Sequence, residues 1–147
     1  MIFKSAISTL NKYLIGMVCL VLIGTTIPVF GSEGLVAGAV LLSINGLTLT
    51  LLIWIYFKTY YSVDNHLLLC KSGPFFSKID IKTIKKIEHH KGIYVPVIWK
   101  PALSHIGLII TYNNYDDIYI SPENETLFLE KLLIINPNIQ IIPLPKS

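Results

Sequence analysis

The side chains best suited to hold a metal are His66, His89, His90 and His105, and those best suited to nucleophilic or paired-carboxylate chemistry are Ser104-His105 and Asp116-Asp117. Their spacing argues against each use. Neighbouring histidines on a strand point to opposite faces, so His89 and His90 cannot chelate one ion together. Asp116-Asp117 follows the turn signal Asn113-Asn114, where solvated acids are routine. Ser104-His105 has neither an identifiable acid partner nor an oxyanion turn. No glycine-rich phosphate loop and no CxxC occur. Cys19 and Cys70 read as small buried hydrophobes. The sequence is therefore read as non-enzymatic, with no catalytic residue, no metal site and no cofactor.

Two other groups carry physical promise. Lys78, Lys82, Lys85, Lys86 and Lys91 alternate with Ile79, Ile81, Ile84 and Ile87. Held near an anionic leaflet, such a basic edge gains about 1 kcal/mol per lysine and would contact lipid headgroups; held in water, it is a solvated strand edge whose charges deter edge pairing. The second group is Gly34, Gly38 and Asn45, which share one face at helical spacing. Gly34 and Gly38 make a small-xxx-small step for close helix packing, and an amide among apolar residues needs a partner. Asn45 either caps a carbonyl of the neighbouring helix or pairs with a second subunit.

Two solvents are implied by the segments that carry these groups. Of the 147 residues 52% are apolar and 14% charged. Residues 14 to 57 hold a single charge, Glu33, whereas ten lysines and eight acids are mixed from Lys58 onward. Leu14–Phe30 would span about 26 Å as a helix and Leu35–Phe57 about 35 Å, each long enough to cross a bilayer core. Gly31-Ser32-Glu33-Gly34 leaves room only for an antiparallel hairpin. Lys4, Lys12 and Lys58 flank its open end, which places both termini in the cytoplasm by the positive-inside rule, and Tyr13, Trp54, Tyr56, Tyr60 and Tyr61 form an aromatic belt there. A cleaved signal peptide fits less well, because the apolar core is long and lacks an A-x-A-like site. The +3 balance is scattered and contains no arginine, which gives no nucleic-acid face.

From Tyr60 the pattern is that of a small β domain. Strands are expected at Tyr61–Asp64, Leu67–Lys71 and Ser77–Ile81, with Ile84 and Ile87 on further extended or turning backbone. Residues 92 to 104 form a long connection with Trp99 as its anchor, and Ile106–Tyr112 and Tyr115–Ile120 make a hairpin about Asn113-Asn114. Ser121-Pro122-Glu123 supplies a helix start and Asn136-Pro137 its stop. The tail Ile139–Ile142 either pairs as an edge strand or lies on the membrane.

The order of these elements and several local strings resemble the bacterial YyaB-like PH domain family. The strings are Tyr60-Tyr61 with Val63-Asp64, Ser72-Gly73-Pro74, Pro101-Ala102-Leu103-Ser104, Ile118-Tyr119-Ile120-Ser121-Pro122, and Phe128 with Asn136-Pro137. The resemblance runs from about Tyr60 to Ile139 and implies a pleckstrin-homology-like fold: a strongly bent antiparallel sheet or barrel closed by a C-terminal helix. Where family members often carry Asp-Arg after Pro-Ala-Leu-Ser, this chain has Ile106-Gly107, so no role of that pair transfers.

The expected architecture is thus α+β: a transmembrane helical hairpin in 1–58, with helices near 14–30 and 35–57, and a cytoplasmic PH-like domain in 59–147. The expected function is a membrane-tethered binding or scaffold module of a bacterial inner membrane, whose partner is a protein, a peptide or the headgroups of the inner leaflet. The alternative is a structural component or assembly factor that forms homo-oligomers through the hairpin.

Overall fold

The computed structural model describes residues 1–32 and 34–144. The first helix, α1 (Thr9–Ser32), is longer at both ends than the expected 14–30. Ser8 starts it, its Oγ accepting from Asn11 N–H at 3.2 Å and its carbonyl from Lys12 N–H at 3.1 Å. Hydropathy alone does not see that polar first turn. At the other end Gly31 and Ser32 are helical, which shortens the expected connection; Glu33 lies outside the described residues. Gly34 takes φ 89°, a conformation open to glycine, and α2 (Leu35–Phe57) begins immediately after it. Both helices are long and apolar enough to cross a membrane, and only 6% and 11% of their apolar windows are buried by the chain itself. Such exposure is opposite to that of a soluble core helix.

The described residues also form eight strands and a third helix. β1 (Ile2–Lys4), β2 (Thr59–Asp64), β3 (Leu67–Ser72) and β4 (Phe75–Asp80) form one antiparallel sheet in that order. β5 (Ile84–Lys91), β6 (Ile106–Tyr112), β7 (Asp116–Ile120) and β8 (Gln140–Ile142) form the second, ordered β7-β6-β5-β8. Turns between strands use Asn65 at φ 45° and Asn113 at φ 51°, where asparagine tolerates a left-handed backbone. A single 3₁₀ turn, Ile81–Thr83, takes the chain from the first sheet to the second. Of the two expectations for the tail, strand pairing holds: β8 lies parallel to β5.

Two elements differ from expectation. Residues 2–4, grouped with the hairpin by sequence, pair antiparallel with β2, because Phe3 is a core residue that packs edge-on against Phe128 at 5.2 Å between ring centroids. The third helix, α3 (Glu125–Ile135), is capped by Asn124, which accepts from Leu127 N–H at 3.2 Å, and not by Ser121. Ser121 is committed elsewhere: its N–H goes to Tyr61 Oη and its carbonyl accepts from Ala6 N–H.

The two sheets and α3 enclose one core, in which Tyr61, Leu68, Ile87, Ile110, Phe128 and Leu132 are at most 1% exposed. At about 25 cal/mol per Å² of apolar surface removed from water, this shared core is the main stabilising term of the domain. A smaller cluster of Val95, Val97, Ile109 and Tyr119 forms where the 92–105 connection folds over the outer face of the second sheet.

Candidate membrane-facing site

Inside the hairpin, Asn45 is 7% exposed and donates through Nδ2 to the Leu22 carbonyl at 2.9 Å and to Thr26 Oγ1 at 2.8 Å. Thr26 Oγ1 in turn donates to the Leu22 carbonyl at 2.8 Å. Of the two partners open to Asn45, the structure uses the neighbouring helix. Gly38 is buried in α2, whereas a Cβ on Gly34 would meet no other atom within 4 Å. Asn45 therefore meets α1, and Gly34 acts through its backbone angle.

The hairpin joins the β domain through short-range contacts at both open ends. Behind α2, Thr59 Oγ1 donates to the Ile55 carbonyl at 2.6 Å and lies 3.1 Å from Ser72 Oγ. Gly73 N–H bonds the Lys58 carbonyl at 3.2 Å. Gly73 adopts φ 57°, and a Cβ there would lie 2.9 Å from Ile55 Cγ1, so turn geometry and packing both demand glycine. Ahead of α1, Ser8 N–H bonds the Leu103 carbonyl at 3.1 Å and Ala6 N–H bonds the Ser121 carbonyl.

A buried knot ties these ends together. Tyr61, fully buried, donates its hydroxyl to the Pro101 carbonyl at 2.6 Å and accepts Ser121 N–H at 3.0 Å. Ser5 Oγ sits 3.1 Å from the same phenol, accepts Leu103 N–H at 3.2 Å and meets Ser121 Oγ at 3.0 Å. Burial pushes the Tyr61 hydroxyl up to about 12, against the pull of its hydrogen bonds. The knot therefore works as a neutral phenol.

The five candidate lysines are not gathered in one place. Lys78 lies on β4 of the first sheet, Lys82 on the 3₁₀ turn, and Lys85, Lys86 and Lys91 on β5 of the second sheet. Lys86 pairs with Glu88 at 2.9 Å, and Lys85 and Lys86 border a depression beside Asn114, Tyr115 and Asp117 at the tip away from the helices. Lys91 alone stands at the end of β5 next to Gly92 and Ile93, which share a cleft with α1. Other cations occupy the helix end. Lys4, Tyr60 and Lys71 are neighbours across β1, β2 and β3, with the Lys71 ammonium 5.9 Å from the Tyr60 ring centroid. Lys4 and Lys58, with Ile7, Tyr56, Phe57, Tyr60 and Glu123, line a notch of about 430 Å³ between the sheet and the end of α2. Sequence reasoning used Lys4 and Lys58 as topology markers. It missed them as wall residues because nothing local reveals that β1 crosses back beside β2.

His89 and His90 serve separate contacts. His89 Nε2 lies 2.6 Å from Glu125 Oε1 and Nδ1 lies 3.1 Å from the Ile142 carbonyl, while His90 Nε2 lies 3.0 Å from the Tyr94 carbonyl. Ser104 Oγ accepts Ile106 N–H at 3.1 Å. Among the described residues no three His, Cys, Asp or Glu side chains are grouped to hold a metal ion.

Two sheets about one core, closed by a C-terminal helix and carried on two apolar helices, define a PH-like domain behind a hairpin. The family model for the bacterial PH domain matches residues 59–136, more than half of the chain, and the chain belongs to that family. No curated protein and no solved structure matches it. PH-like domains are generally non-catalytic binding modules. The match leaves out β1, the strand that this chain adds from ahead of its helices. Gly107, at the position noted as a departure, has a physical reason: a Cβ there would run into the Ile120 carbonyl and lie 3.0 Å from the Tyr119 hydroxyl.

Proposed function

We propose that the chain is a non-enzymatic, membrane-tethered PH-like module of a bacterial cytoplasmic membrane, with both termini in the cytoplasm and the β domain against the inner leaflet. One observation carries this reading: the strand before α1 and the strand after α2 are hydrogen-bonded neighbours in one sheet, Lys4 opposite Tyr60. A domain stitched to both helix ends has a fixed height and tilt at the membrane, which a flexible linker would not give. Its basic contact with anionic headgroups falls to Lys4, Lys58 and Lys71 with Lys91, and the remaining lysines serve the solvated side. The rest of the domain surface is left to a protein or peptide partner.

The use of the Asn45 amide N–H groups within the chain favours this reading over assembly through the hairpin, since donors already paired with α1 no longer draw a second copy. The test is topology together with capture. In intact spheroplasts, added protease should spare everything after Lys58 and digest it once the membrane is opened, and lysine-reactive crosslinking of the full chain should join Lys4 or Lys58 to aminophospholipid. Digestion from outside would overturn the orientation, and crosslinks confined to a second copy of the chain would favour the assembly reading.

A further inference from the structure

The start of β4 and the 92–105 connection, at the helix end of the β domain, expose large apolar side chains at a height that two independent contacts define. Phe75 and Phe76, after the Gly73–Pro74 turn, are 50% and 62% exposed, and Ile93 and Tyr94, at the start of the 92–105 connection, are 81% and 82% exposed. Exposure alone does not single them out, because Tyr115 is 94% exposed at the far tip. Their level does. Asn45 bonds across to Leu22 and Thr26, so ten residues further along α2, Ile55 stands level with residues 12 to 16 of the antiparallel α1. Gly73 packs directly on Ile55. On the other side of the hairpin, Gly92 and Ile93 share a cleft with Leu10, Asn11 and Leu14 of α1. The Gly73–Pro74 turn and the start of the 92–105 connection thus stand beside the helices at the level of Lys12, Tyr13 and Trp54, and Phe75 and Phe76, which open β4, lie just above them in register with Thr59 and Tyr60.

Neither loop is placed there loosely. Val95 and Val97, 5% and 8% exposed, fix the 92–105 connection onto Ile109 and Tyr119, and Phe75 stacks edge-on against Trp99 at 6.1 Å between centroids. Four aromatic and β-branched side chains held rigidly at the depth of an interfacial Tyr/Trp belt have the composition of a surface that partitions into the boundary between headgroups and acyl chains. We propose that Phe75, Phe76, Ile93 and Tyr94 form a rim immersed in that boundary, so that the β domain is seated in the leaflet by lipid contact on two sides of its covalent tether. The occupant is lipid because the rim is continuous with the exposed apolar faces of α1 and α2, Tyr13 and Leu14 among them at 76% and 51% exposure. This rests on the reading that the helices cross a membrane, and the experiment separates the two claims.

Single cysteines replacing Phe76, Ile93, Ile44 or Tyr115 are introduced in the full chain carrying Cys19→Ala; Cys70 is fully buried and stays unlabelled. Each is labelled with an environment-sensitive fluorophore and reconstituted in phosphatidylethanolamine–phosphatidylglycerol vesicles containing lipids brominated near the headgroup or near the chain end. Labels at 76 and 93 should lose fluorescence with shallow bromines, the label at 44 with deep bromines, and the label at 115 with neither. Loss at 44 but none at 76 and 93 would overturn the rim while leaving the spanning helices intact. No loss at 44 would overturn both.

Discussion

The two ends of the β domain are made from the same strands, yet their loops expose different chemistry. The far end presents Asp64, Asn65, Asp80, Asn113, Asn114, Asp116 and Asp117, with Lys82, Lys85, Lys86 and Tyr115 among them, on short turns: Asp116 Oδ2 accepts from Asn113 Nδ2 at 2.8 Å and Asp80 Oδ1 from Lys82 N–H at 2.9 Å. The helix end presents Lys4, Lys58 and Lys91 with Phe75, Phe76, Ile93 and Tyr94. Acids and amides suit bulk water; lysines beside aromatic residues suit an anionic surface with an apolar layer beneath it. Each end also has its own buried polar knot. At the far end Asn136 Nδ2 donates to the Ile81 carbonyl at 2.9 Å and the Ile84 carbonyl at 3.1 Å, fixing α3 to the corner between the sheets. At the helix end Tyr61 does the same for β1, the long connection and the chain after β7. An amide holds the far end and a phenol the helix end, and only the phenol can ionise.

Tyr61→Phe breaks the helix-end knot and leaves the far one untouched. Ser121 N–H and the Pro101 carbonyl would then be buried without their partner, a loss of about 3 kcal/mol for two groups. Chemical denaturation of the full chain in detergent should show a lower midpoint, with amide exchange speeding first at β1 and residues 101–103. Equal loss of protection at α3 and the 81–84 corner would show that the two ends are not separately held.

Alkali should act on the same end more gently. Tyr61 and Tyr119 are pushed up to about 12 from an ordinary 10.0, and Cys70 to about 12 from 9.0, chiefly by burial. The folded chain keeps these protons where the unfolded chain has lost them. Stability is therefore complete below about pH 9 and falls as pH rises through the window up to about 12. Denaturation midpoints measured across that window should decline, and Tyr61→Phe should decline less steeply from its lower start. A flat profile for the parent protein would mean that these groups are not shielded from water.

The legible parts of this molecule are those encoded locally. The apolar runs yield α1 and α2, the asparagine turns yield the hairpins, and the Pro-Ala-Leu-Ser and Ile-Ser-Pro strings lead to the family that the domain match shows. What escaped is non-local. Ile2–Lys4 is three residues long and becomes a strand only because β2, beyond two membrane-length helices, offers an edge. Ser121 has the makings of a helix cap, but a buried tyrosine sixty residues away claims its N–H and Asn124 takes the cap. The lysine series read as one edge because its members are close in sequence, and the 3₁₀ turn at Ile81–Thr83 divides it between two sheets.

Asn45→Leu gives the smallest expected effect and carries the contrast into the bilayer. The change removes two amide donors from the contact with α1, while Thr26 Oγ1 keeps its own bond to the Leu22 carbonyl. A hydrogen bond between membrane helices contributes about 1 kcal/mol, because the separated helices also find partners for their polar groups. The hairpin should therefore loosen slightly, seen as a small fall in the denaturation midpoint in detergent, while the distribution of crosslinked species in bilayers stays that of the parent. Loss of a multimer in the variant would mean that the amide also serves a second copy, and the hairpin, not the β domain, would then be the recognition surface. An unchanged pattern leaves binding to the one part of the chain with two chemically distinct ends, of which the helix end, on the proposed reading, would set how the other is presented.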